Sequence, residues 1–104
     1  MVLTRSFKAT LMERTRRDPA FRRALLAEAM NVLMEGDIDT GKSALRDYIN
    51  ATVGFQALST AVGTPPKSLM RMFGPSGNPT ARNLFAVVAY LQRELGVTLE
   101  AARA

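Results

Sequence analysis

The chain has neither cysteine nor histidine. Without the first there are no disulfides and no thiol chemistry; without the second there is no imidazole general base, and the usual zinc ligand sets are gone as well. Carboxylates and hydroxyls are all that remains for catalysis, and no enzyme activity, cofactor or metal site is expected. Long apolar runs are missing too. Nothing approaches the ~18 residues that suggest a membrane span. Arg5, Lys8, Glu13 and Arg14 break up the first fifteen residues, where a signal peptide would need an apolar core of roughly 7–15 residues. A soluble, cytoplasmic protein without a membrane partner is the expectation.

Acidic residues are absent from one long stretch. None occurs between Asp47 and Glu94, an interval that holds Lys67, Arg71, Arg82 and Arg93. With a net charge of +5 and a sequence pI near 10.5, the chain has a balance that suits a protein that meets polyanions and equally a plain solvated basic surface, so motifs must decide.

The 104 residues are 47% hydrophobic, enough apolar material for one core and about the size of one domain. Their spacing is helical. Phe7, Leu11 and Met12 form a thin stripe over residues 4–17. Asp18 and Pro19 read as an N-cap and first turn, and Leu25, Leu26, Ala29, Met30, Leu33 and Met34 then mark one broad face that stops at Gly36. Leu45, Tyr48, Ile49 and Thr52 predict a helix from about Thr40, capped by Thr40 or Asp39 and closed by Gly54. A compact segment with Leu58, Ala61 and Val62 runs to Gly63. Thr64-Pro65-Pro66 starts a short helix with Leu69, Met72 and Phe73 inward, ended by Gly74. Leu84, Val88, Leu91 and Leu95 predict a last helix from about Thr80. For residues 97–100 a short strand and a frayed tail fit equally. The expected fold is all-α, about six helices, with residues 1–36 a helical extension packed on a core unit of residues 37–104.

One octet argues for something else. "GDIDTGKS", residues 36–43, matches the phosphate-loop pattern G-x-x-x-x-G-K-[ST]. A working phosphate loop follows a β-strand, but "LLAEAMNVLME" before Gly36 has helical period, and Asp37 and Asp39 would set two carboxylates against a polyphosphate. No hydrophobic strand ending in Asp follows to hold magnesium. The octet reads as a connector between two helices, with no nucleotide bound. Lys42, on the first turn of the next helix, is left as a candidate phosphate contact of another kind.

Residues 55–73, "FQALSTAVGTPPKSLMRMF", have the build of a DNA-reading helix-turn-helix: Leu58, Ser59 and Ala61 on the first helix, Gly63 at the turn, Leu69 and Met72 anchoring the second. Lys67, Ser68 and Arg71 then lie outward, where base edges are read, with Arg71 able to bond guanine through two hydrogens. The arrangement resembles the lambda-repressor type of helix-turn-helix, and most closely the HigA-like branch of addiction-module antidotes. That branch carries Gly-Asn-Pro and then Ser or Thr after the reader helix, matched here by Gly77, Asn78, Pro79 and Thr80. Glu35, Gly36 and Asp37, and the pair Arg46 and Asp47, extend the likeness, which covers roughly residues 21–100. Thr64 and Pro65 depart from it: the usual residues there are Val or Leu and a capping Ser. Here Thr64 is expected to cap and Pro65 to take the first helical position, which shifts the side chains that face the groove.

The resemblance implies a sequence-specific transcriptional regulator, a repressor, and in the antidote branch the antitoxin of a toxin–antitoxin operon. It implies that Gln56 clamps a phosphate. Thr64, Ser76, Asn78, Thr80 and Arg82 are the further phosphate candidates, through hydroxyls, amides and the last helix's N-terminus. Met70 and Met72 are expected to pack. One such domain contacts one half-site, so a homodimer on an inverted repeat of double-stranded DNA is expected, joined through the last helix or the tail. A cognate toxin, if there is one, would meet residues 4–35, whose seven basic and four acidic side chains equally suit an extended DNA footprint. The alternative is a helical protein-interaction module that reads no DNA.

Overall fold

In the computed structural model, which describes residues 5–96 and 99, the described chain is all-helical. Six helices follow one another with short connections: α1 (Arg5–Arg17), α2 (Pro19–Met34), α3 (Ile38–Ala51), α4 (Gly54–Val62), α5 (Pro66–Met72) and α6 (Ala81–Leu95). No described residue lies in a strand, and of residues 97–100, for which a short strand and a frayed tail fitted equally, only Leu99 falls within the described residues. Leu99 packs against the core, and its N–H donates to the Gln92 side-chain oxygen at 2.8 Å.

Local chemistry sets the boundaries. Asp18 accepts from the Phe21 N–H, and Pro19 follows at the first helical position, where its missing N–H costs nothing. Asp37 caps α3 by accepting from the Thr40 N–H, so this helix begins at Ile38, earlier than a cap at Asp39 or Thr40 would place it. Three cap-competent side chains stand within four residues, and the turn through Gly36 (φ 94°) presents the first of them. Gly54 opens α4 and does not close α3, which ends at Ala51 with Thr52 as its C-cap.

The core draws on five helices: Leu26 and Ala29 from α2, Leu45, Tyr48 and Ile49 from α3, Phe55 and Leu58 from α4, Leu69 from α5, Val87, Tyr90 and Leu91 from α6, with Phe73 beside them. Residues on both sides of position 37 therefore share one apolar interior. Gly41 lets α3 lie close on α2, because a Cβ there would run into the Leu33 side chain. Three apolar residues expected inside are not: Phe7 and Met34 sit at helix ends and are exposed, and Met70 is 48% exposed on α5. In α6, Val87 and Tyr90 join the buried set that the wider spacing of Leu84, Val88, Leu91 and Leu95 had marked.

Candidate nucleic-acid interface

Gly63 ends α4 in the left-handed conformation (φ 75°), and its N–H donates to the Ser59 carbonyl at 2.9 Å. A non-glycine residue would be strained at that angle. Pro65 then stays extended (φ −57°, ψ 145°), and α5 starts at Pro66. No side chain caps α5, so the expected cap by Thr64, with Pro65 as first helical residue, does not form. Two successive prolines explain the shift: Pro66 disfavours helical backbone at Pro65, and the helix waits one residue.

α5 has two unlike faces. Leu69 and Phe73 are 1% exposed, and Met72 packs against the core. Lys67, Met70 and Arg71, spaced i, i+3, i+4, are exposed together on the other side, with Ser68 half-buried between the faces. Met70, expected to pack, thus belongs to the outward surface. Gln56 on α4, Ser76 and Asn78 in the following loop, and Thr80 and Arg82 at the start of α6 are likewise exposed, while Thr64 is half-buried. The Thr80 hydroxyl oxygen accepts from the Asn83 N–H at 3.2 Å, capping α6, and keeps its own proton to donate.

The loop after α5 is fixed by an unexpected group. Lys42, the lysine of the phosphate-loop octet, is 3% exposed. Its ammonium donates to the Gly74 carbonyl at 3.1 Å and to the Gly77 carbonyl, and stands 3.6 Å from the Asp39 carboxylate. Buried and hydrogen-bonded to two loop carbonyls, with the Asp39 carboxylate beside it, the Lys42 ammonium does not stand open to a phosphate as the sequence led one to expect. Helical period carries the signal in retrospect: Lys42, Leu45 and Ile49 fall at i, i+3 and i+7, on the buried stripe of α3. Gly77 tightens the same loop. A Cβ there would collide with the Arg71 and Met72 carbonyls, so the chain returns directly over the end of α5.

The octet itself spans the α2–α3 junction. A helix precedes Gly36, and Gly41, Lys42 and Ser43 lie within α3. No protein-family model matches this chain, and neither a curated protein nor a solved structure does.

Proposed function

We propose that the chain is a sequence-specific DNA-binding regulator in which α4 and α5 form the helix-turn-helix and α5 lies in the major groove. The observation that carries this reading is the outward face of α5: Lys67 and Arg71 stand exposed on a helix anchored by buried Leu69 and Phe73, within a stretch free of carboxylates from residue 48 to 93. Arg71 and Lys67 read base edges, with Ser68 beside them. Gln56, Ser76, Asn78, Thr80 and Arg82 bond phosphates, and Thr64 contributes from the turn. Repression of its own operon, and an antitoxin role opposite a cognate toxin, belong to this reading through the family likeness. It implies a homodimer on an inverted repeat in the cytoplasm.

The exposed Met70 and Phe85 favour a second reading, in which the chain is a helical module that docks a partner protein and reads no DNA. Fluorescence anisotropy separates the two. The protein is titrated onto DNA from upstream of its own gene and onto scrambled DNA across a salt series, beside the double variant Lys67→Ala/Arg71→Ala. A reader of DNA prefers the upstream sequence, loses affinity steeply with salt, and loses its preference in the variant. Equal weak binding to both DNAs, unchanged in the variant, would leave the docking reading standing.

A further inference from the structure

α1, α2 and α3 leave a groove between them, away from α5. It encloses about 400 Å³ and is walled by Leu11 and Met12 of α1, Leu25 and Ala29 of α2, and Ala44 and Ala51 of α3. Its polar lining includes two carboxylates, Glu28 and Asp47, one from each of the two longer walls. Both are exposed, and no described lysine or arginine pairs with either; the acidic groups that do form ion pairs are Glu13, Asp18 and Asp39. A chain of net charge +5 thus holds at one apolar groove two carboxylates that have no ion-pair partner among the described residues. Tyr48 also lines it, is 3% exposed, and has a hydroxyl with no hydrogen-bond partner.

Size and lining are those of a small-molecule site: such sites run from roughly 300 to 1,000 Å³, mostly apolar, with a few polar groups that fix orientation. The charge complement of Glu28 and Asp47 is a cation. We propose that this groove binds a small amphiphilic amine, its hydrocarbon or aromatic body against Leu11, Met12, Leu25 and Ala29 and its ammonium at Glu28 and Asp47. The site is separate from α5, so the proposal stands or falls independently of DNA binding. An occupant would touch α1, α2 and α3 together and hold α1 to the other two.

The test is a charge series on one skeleton: 4-phenylbutylamine, 4-phenylbutanol and 4-phenylbutyrate, each titrated into the full-length protein and followed by amide NMR shifts. The amine should bind saturably, with shifts centred on residues 11–15, 25–29 and 44–51, roughly tenfold tighter than the alcohol, the size that two partly screened charge contacts supply. The butyrate should be weakest despite the protein's positive charge. Glu28→Gln/Asp47→Asn, exposed and neutralising, should bring the amine down to the alcohol's affinity, and Ala44→Leu, filling the groove, should weaken amine and alcohol alike. Equal affinity for amine and butyrate, or binding indifferent to both sets of variants, would overturn the proposal. So would shifts of the same residues on simple dilution of the free protein, since a second copy would then be the occupant.

Discussion

Lys42 shows how much one buried side chain can hold. Its ammonium ties α3 to a loop more than thirty residues later in the chain, through the carbonyls of Gly74 and Gly77. Hydrogen bonds to a charged group contribute about 1.5–3 kcal/mol each net, but these carbonyls are half-buried and water can replace part of the loss. Lys42→Met is expected to lower stability by about 2 kcal/mol, read as a lower urea midpoint at unchanged slope. Tyr48 is the second residue of consequence. Burial raises its hydroxyl from 10.0 to about 12, against a smaller opposing pull from the Arg22 charge. Its folded value lies above its unfolded one, so its contribution to stability is complete below pH 10 and is lost as pH rises toward about 12, where the unfolded chain sheds the proton first. Unfolding measured from pH 9 to 12 should show this fall, a few kcal/mol at ~1.4 per unit, and Tyr48→Phe should remove it. At neutral pH the same variant should be neutral or slightly stabilising, since it deletes a buried hydroxyl without a partner.

At the scale of elements, caps account for much of the architecture. α2, α3 and α6 each begin with a side chain that accepts a backbone N–H: Asp18, Asp37 and Thr80. α4 and α5 have none, and their ends depend on Gly63, the two prolines and the anchors Phe55, Leu58 and Leu69. Asp37→Ala and Thr80→Ala should each cost about 1 kcal/mol in chemical denaturation. Gly77→Ala should cost more, about 2–3 kcal/mol, because the methyl group displaces the chain from the end of α5. Six helices were legible in the 3.6-residue spacing of the apolar residues, and Asp18 and Pro19 marked the start of α2 outright. The start of α3 was not, since Asp37, Asp39 and Thr40 can all cap and only the preceding turn chooses. Neither was the start of α5, where two prolines compete for one position. At the candidate site, the exposure of Lys67 and Arg71 follows from the spacing of Leu69 and Phe73, and so was readable. The Lys42 latch and the α1–α2–α3 groove join residues far apart in the chain, which local period cannot report.

The described residues span 38 × 33 × 28 Å, with a radius of gyration of 13.2 Å. Half-sites one DNA turn apart have centres ~34 Å from each other, so two copies bound side by side would abut. On the proposed reading, sedimentation of the protein with an inverted repeat of that spacing should give two chains per duplex, binding more tightly than one chain to an isolated half-site. The charge is also unevenly placed: carboxylates are confined to the chain before residue 48 and after residue 93. The face proposed for DNA carries Lys67 and Arg71, whereas the groove proposed for an amine carries Glu28 and Asp47.

The latch by Lys42 has a chemical corollary. An amine that is almost wholly covered and shared among three oxygens is a poor nucleophile toward acylating reagents, whereas Lys67 stands open to them. Brief treatment with acetic anhydride, followed by peptide mass spectrometry, should acetylate Lys67 within the first minutes and leave Lys42 intact. The slow appearance of label on Lys42 then becomes a clock for the loop that follows α5, counting how often it lets go.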